Sequence, residues 1–290
     1  MTGALDEYSR LQRVLMKRPV DAFVSQANLA AQWRALNFIA EPDFDRAIAE
    51  YEVFEQIVAG SGAEIMLLAA ASQVTADSIY TRDASALAPA GVVLGSMGKA
   101  QREPEPSAQR SRLSEQGVPV AGRIVRPGQL EGGDLIWLDR RTVAIGLGKR
   151  TNAEGIRQFG ELVGPDVQVI TVPLPDWPST NDVLHLMSLI SPVDERLATV
   201  YSPLLPEGFL RLLLDRGYEL VEVPDSEFET MGTNVLALAP RECVILRGNP
   251  GTRTALERAH AIVHEYDGQE ISCKGGGGPT CLTRPLSRIG

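Results

Sequence analysis

Five times along this 290-residue chain a short apolar stretch is followed, after a turn, by a second one. The stretches read IYTRDASALAPAGVVLGS, EGGDLIWLDRRTVAIGLG, VLHLMSLISPVDERLATVYS, MGTNVLALAPRECVILRG and GGPTCLTRPLSR. Short apolar runs bounded by turn residues predict β-hairpins. Aligned on their apolar patterns, the stretches bring Asp83, Glu131, His185, Asn234 and Cys281 to equivalent places in the first run, at steps of 48, 54, 49 and 47 residues. A recurrence of about fifty residues lies in the range of repeat architectures.

The intervening segments repeat as well. Residues Asn152 to Val163 read as a helix, followed by a strand, VQVITVPL, from Val167. Glu207 to Arg216 carries apolar residues at helical spacing, and YELVEVP reads as a strand. Asn249-Pro250-Gly251 opens a helix expected to run to about Tyr266, stopped by Asp267-Gly268, with QEISCK as the next strand. Proline near the start and glycine past the end are the usual helix punctuation. Each unit is therefore strand–turn–strand–helix–strand. The first unit is split, with RLQRVLMKRP near the start supplying the strand missing after TCLTRPL. Closing a ring in this way removes free sheet edges. No linker, low-complexity stretch or charge block divides the chain, so residues 1–290 are read as one α/β domain of five pseudo-equivalent units. Residues 19–43 fall outside the repeat and are expected either to lie over the ring's mouth as a lid or to decorate its side.

Bulk properties narrow the function classes. A net charge of −9 disfavours a nucleic-acid partner, which requires clustered Lys and Arg. The apolar runs fall short of the ~20 residues of a membrane-spanning helix, and the acidic N-terminus MTGALDEYSRLQ has no secretory pattern. Three cysteines without CxxC spacing point to a reduced, cytoplasmic setting rather than a disulfide framework. The assembly state is open, with a homo-oligomer as one option.

Shared register is what turns ordinary residues into candidates. Alone, Cys281 in GGGGPTC reads as a small core residue, and His185 in VLHLMSLI as a satisfied core histidine. Together with Glu131 and Asp83 they would converge on one axis. Four successive glycines before the thiol imply an approach too close for a Cβ, and they lack the Gly-Lys-Ser/Thr of a nucleotide loop. Asp77, six residues before Asp83, is placed to approach the same pocket. Carboxylates gathered around a thiol are costly unless a cation sits among them, and a guanidinium pairs bidentately with carboxylates. His260 and His264, four apart on the expected helix, have no third ligand, so no metal and no organic cofactor are expected. Cys243 and Cys273 read as structural, and Asn234 has no assigned role.

On YTRD, EGGD, GKRTN, HLMS and the glycine-rich Cys motif, the chain resembles the guanidino-group-modifying superfamily of arginine deiminases, dimethylarginine dimethylaminohydrolases and amidinotransferases, from VLMKRP to TCLTRPL. The resemblance implies a five-bladed pseudo-symmetric α/β propeller (a pentein) with its site on the axis. It implies Cys281 as nucleophile, His185 as general acid/base, and Glu131 and Asp83 as the carboxylates for the guanidinium. It also implies Asp77 as a substrate-contacting acid, and Arg102 with Arg150 as the pair for an amino acid's carboxylate. The implied activity is cysteine-dependent hydrolysis of arginine or an N-methylated arginine through a thiouronium adduct, releasing an amine or ammonia and a ureido product such as citrulline. Arg82 before Asp83 follows the deiminase order. Met187, where deiminases carry Asp and dimethylarginine hydrolases Lys, fits a substituted guanidine. A dimethylargininase-type hydrolase is therefore favoured, with arginine deimination and amidinotransfer as alternatives. The other-class alternative, a ribosome-binding anti-association factor of the same architecture, has no need of the Cys, His and acids in register.

Overall fold

A computed structural model describes residues 5–176 and 184–290. Val183, at the head of the third stretch, and the first four residues of the acidic N-terminus lie outside the described residues. Among the described residues, fifteen strands form five three-stranded sheets, each an antiparallel pair with a third strand added in parallel. The second blade is Ser85–Ala88, Gly91–Leu94 and Val120–Arg123. The third is Leu135–Asp139, Thr142–Leu147 and Gln168–Pro173. Ile190–Asp194, Leu197–Val200 and Glu219–Glu222 make the fourth, and Leu236–Ala239, Glu242–Leu246 and Ile262–Tyr266 the fifth.

The first blade joins the two ends of the chain. Arg10–Met16 pairs antiparallel with Arg284–Ile289, from Arg10 opposite Ile289 to Leu15 opposite Arg284, and parallel with Glu64–Leu67. The expected closure of the ring by a split first unit is therefore what the backbone forms.

A parallel third strand needs a crossover, and in every blade a helix supplies it. The crossover helices are Phe44–Gly60, Glu105–Glu115, Ala153–Val163, Glu207–Asp215 and Pro250–Arg258. Asn152 caps the third of these by accepting the Gly155 amide at 2.8 Å, and Ile156, Phe159 and Val163 form its buried stripe. Ala153–Val163, Glu207–Asp215 and their strands fall within a residue or two of the sequence expectation.

The fifth blade departs from it. The helix stops at Arg258, His260 adopts a left-handed conformation (φ 61°), and Ile262–Tyr266 is a strand rather than the helix's last turns. A histidine tolerates that conformation better than the β-branched residues that follow. The strand is held because its backbone pairs in register with Glu242–Leu246. QEISC, expected as a strand, is instead a π-helical turn, Gln269–Cys273, whose Ile271 is buried. His260 and His264 thus share no helix face, and His264 lies 3.1 Å from Glu242 instead.

Segment 19–43 contains two short helices, Pro19–Ala22 and Gln26–Gln32. Phe23, Leu29, Leu36 and Phe38 are buried in the same apolar cluster as Tyr51, Phe54 and Tyr266. Among the described residues, no helix is long and apolar enough to cross a membrane.

Leu15, on the strand that joins the ends, is fully buried. Leu15→Ala should therefore cost about 2–5 kcal/mol, read as a lowered midpoint in urea unfolding, whereas Ile289→Ala at the exposed end of the same pairing should be nearly neutral.

Candidate active site

The five register residues lie in the turns that deliver the chain into each blade's first strand, two to five residues ahead of it, rather than within the strands themselves. In a strand, side chains alternate between faces. A residue just ahead of the strand escapes that alternation and can face the axis. Cys281, His185, Asp83, Asp77, Arg102 and Arg150 all line one cavity of about 460 Å³, a volume within the range of small-molecule sites.

Glu131 is fully buried and has every oxygen engaged. Its Oε2 lies 2.8 Å from His185 Nε2, Arg150 Nη1 reaches both oxygens at 3.1 and 3.2 Å, and the Gly98 amide donates to Oε1 at 2.8 Å. Burial opposes ionisation, but His185 and Arg150 outweigh it and hold this carboxyl well below the usual carboxylate range. Burial likewise opposes a charged imidazole, yet Asp83, Asp134 and Glu131 outweigh it and push His185 up to about 9. His185 is therefore an imidazolium at neutral pH.

Asp83 is shaped differently. Its Oδ2 accepts Arg102 Nη1 at 2.6 Å, while Oδ1 is buried with no hydrogen-bond partner. Ligand atoms of Asp83, Glu131 and His185 lie within 4.8 Å of one another. A Cβ on Gly133 would come 2.7 Å from Asp83 Oδ1 and 3.0 Å from His185 Cγ, so this convergence requires glycine in EGGD. Two carboxylates and an imidazole are also a donor set for a divalent cation. Here the imidazole bonds directly to Glu131 and Arg150 sits on the same carboxylate, so protein cations already occupy those oxygens.

Cys281 enters on a loop shaped by its glycines. A Cβ at Gly277 would fall 2.3 Å from Tyr80 Cε1, and one at Gly278 would fall 2.5 Å from Asn234 Oδ1. The close approach inferred from GGGG is thus to the protein's own Tyr80 and Asn234. Asn234 Oδ1 accepts both the amide and hydroxyl of Thr280 at 2.9 Å, and its Nδ2 donates to Cys281 Sγ at 3.6 Å. The fourth register position, unassigned on sequence alone, therefore fixes the thiol loop. Burial first, and Asp83 second, push the Cys281 thiol up, against Thr280, Gly278 and Arg82.

The remaining expected residues are in the cavity wall but are not equivalent. Asp77 lies outside the 4.8 Å cluster and binds Lys99 Nζ through Oδ2 at 2.5 Å. Arg102 donates to Asp83, to both oxygens of Glu105 and to the Tyr80 carbonyl. Four of its five N–H groups thus serve the protein, which makes its first task the orientation of Asp83. Among the described residues, the Arg150 side chain is engaged only with Glu131. Met187 is buried in the fourth blade's core and lines the cavity. Cys243 is buried on a central strand, where burial pushes its thiol up to about 12. Cys273, expected as a packed strand residue, instead closes the π turn and lines the cavity.

Sequence reading also passed over Asp134. Buried beneath the site, its Oδ1 accepts the Leu186 amide at 3.0 Å and its Oδ2 the Thr151 hydroxyl at 2.6 Å, while Thr151 Oγ1 accepts the Glu131 amide at 3.1 Å. That chain ties the backbone beside His185 to the backbone of Glu131. The aspartate ending EGGD was the available signal.

Propeller, thiol, imidazolium and convergent carboxylates define a guanidino-group-modifying pentein. A family model described as N,N dimethylarginine dimethylhydrolase, eukaryotic, matches residues 29–288, and the chain belongs to that family. It is 30% identical to the uncharacterized protein YkgA of Bacillus subtilis over 212 residues (73% of this chain, 70% of YkgA). It is 29% identical to arginine deiminase of Listeria welshimeri over 252 residues, 72% of this chain but only 61% of the deiminase. The chain thus spans about three fifths of that relative. Among solved structures it is similar to the N-terminal domain of ArgZ, a cyanobacterial arginine dihydrolase, bound to substrate (TM-score 0.81, 20% identity, 96% of this chain and 98% of that one). It is also similar to a Cys-to-Ser mutant of DDAH from Pseudomonas aeruginosa complexed with citrulline (TM-score 0.76, 20% identity, 94% and 98%). At these identities the two structures speak for the fold.

Two titration results follow from the site. Glu131→Gln should move His185 from about 9 back toward its ordinary 6.5, read from the imidazole proton shifts in NMR. Since the folded-state value is raised, the stabilisation is fully present below about pH 6.5 and is lost as pH rises through about 9. Asp83→Asn removes an anion that holds the thiol proton, so iodoacetamide should alkylate Cys281 faster at pH 7 in the variant.

Proposed function

We propose that the protein is a cysteine-dependent hydrolase of the guanidino group of arginine or an N-methylated arginine. The observation that carries this reading is Asp83 Oδ1, a buried carboxylate oxygen without a partner in the wall that also presents the Cys281 thiol. A buried carboxylate oxygen left without a donor, on a group whose other oxygen is held by Arg102, calls for a further hydrogen-bond donor. A planar guanidinium supplies both the charge and the fork of donors.

The chemistry follows from the protonation states. The guanidinium's charge favours the Cys281 thiolate, and the thiol proton leaves to solvent. The sulfur attacks the guanidinium carbon and gives a neutral tetrahedral adduct. The imidazolium of His185, oriented by Glu131, protonates the departing nitrogen, which leaves as amine or ammonia. The carbon remains bound to Cys281 as a cationic thiouronium. Neutral His185 then takes a proton from water as its oxygen adds to the same carbon. Collapse breaks the C–S bond, frees the sulfur with the hydroxyl proton, and releases the ureido product.

Met187 in the cavity wall supports an alkylated guanidine, for which an apolar neighbour suits a methyl group better than a charged one. Arginine deimination is the second reading, favoured by the Listeria deiminase relatives. Arg150 is the proposed ligand of the substrate's carboxylate, and Arg102 keeps Asp83 in place. Segment 19–43 is the proposed lid, since Leu36, Asn37 and Ile39 line the cavity while Leu29 and Phe38 anchor the segment in the core.

The test is release of ammonia, methylamine, dimethylamine or ornithine from a panel of guanidines, with intact-mass detection of the thiouronium. Cys281→Ser should bind but form no adduct, and His185→Ala should lose about 10²- to 10⁴-fold in rate. An active Cys281→Ser enzyme, or a wild type that releases nothing and forms no adduct, would refute the reading.

A further inference from the structure

Lys99 is a pocket cation that the proposed reaction does not use. It precedes the short 3₁₀ turn Ala100–Arg102, and its side chain is 13% exposed. Two of its three N–H donors are held, one by Asp77 Oδ2 at 2.5 Å and one by the Leu36 carbonyl at 2.6 Å. Asp77, Lys99 and Leu36 all line the cavity, and Asp77 stands apart from the Asp83–Glu131–His185 cluster. A buried carboxylate and a backbone carbonyl, both in hydrogen-bond contact with one ammonium, form a primary-ammonium station. In this chain the station is filled by the protein's own lysine.

We propose that Lys99 is a specificity-determining residue that turns the pocket toward guanidino carboxylates lacking an α-ammonium, in preference to the corresponding α-amino acids. A ligand ammonium arriving at Asp77 must either displace Lys99 from two good contacts or share one carboxylate with it. Two ammonium groups on one anion in a largely desolvated wall repel each other strongly. A ligand carboxylate meets the opposite situation, because Lys99 keeps a third N–H and Arg150 its Nε and Nη2 donors beyond their bonds to Asp77, Leu36 and Glu131 in the cavity wall. Arg102 contributes little to that end, since its donors are committed to Asp83, Glu105 and Tyr80. The inference rests on the proposed guanidine site for one end of the ligand and, at the other end, makes arginine a weaker ligand than the same skeleton without its α-ammonium.

Binding to the Cys281→Ser protein separates this inference from the catalytic reading, because no turnover is involved. Three ligands with the same guanidinium are compared by calorimetry: L-arginine, 5-guanidinopentanoate (arginine without its α-ammonium) and agmatine (without its carboxylate). With Lys99 present, 5-guanidinopentanoate should bind at least about tenfold more tightly than L-arginine. Adding Lys99→Met should abolish or reverse that ratio by freeing Asp77 for the ligand's ammonium, and Lys99→Arg should largely restore it. Equal or tighter binding of L-arginine to the protein with Lys99, a ratio unmoved by Lys99→Met, or no binding of 5-guanidinopentanoate would each overturn the proposal. Failure of the wild type to react with any guanidine would count against the hydrolase reading alone, since the binding ratio is measured independently.

Discussion

Glu131 sits at zero exposure, and an ionised carboxylate there is tolerable only because His185, Arg150 and the Gly98 amide all turn toward it. The desolvation penalty for such an ion is several kcal/mol, so its partners must be held in place. That demand explains much of the surrounding design. Asp134 and Thr151 tie the backbone beside Glu131 to that beside His185, and Gly133 leaves room for His185 and Asp83 to meet. Asp83, Asp134 and Glu131 together push the imidazole up to about 9 against its burial.

The five-fold repeat is the means by which distant residues satisfy that constraint. Each blade contributes one turn, and the turns are held relative to one another because each apolar cluster joins strands of two neighbouring blades. Asp83, Glu131, His185, Asn234 and Cys281 belong to five different blades. A charged cluster assembled from one segment would have to fold against its own desolvation. Here five packed sheets set the positions, and the polar groups are carried in by structure whose stability lies elsewhere.

The architecture was legible because it is written in repetition. The period, the hairpins, the split first blade and four of the five units correspond to sheets in the structure. The fifth unit misled because AHAIVHEY continues an apolar spacing compatible with a helix, and only pairing with Glu242–Leu246 makes Ile262–Tyr266 a strand. Chemistry was legible where it shared the register. Asn234 occupied the register too, but an amide holding a thiol loop has no signature beyond that position. Lys99 and Asp134 lay outside it. Their roles arise from contacts with Asp77, Leu36, Leu186 and Thr151, which spacing does not encode. Arg102 illustrates a contact that spacing does not show: the resemblance implied a ligand contact, and in the structure Glu105, three residues on, takes two of its donors.

The protonation pattern gives the site a further property. Burial and Asp83 both push the Cys281 thiol up, although His185, itself raised, lines the same cavity. Asp83 acts on both groups, raising His185 and opposing a thiolate at Cys281. A neutral thiol is a weak nucleophile and a poor target for oxidants. A cation against Asp83 Oδ1 reverses the local balance, because it offsets the anion that opposes the thiolate. The charge of the proposed guanidinium would therefore serve recognition and activation together. A neutral isostere of the same shape would satisfy the cavity's outline yet leave Asp83 free to oppose the thiolate.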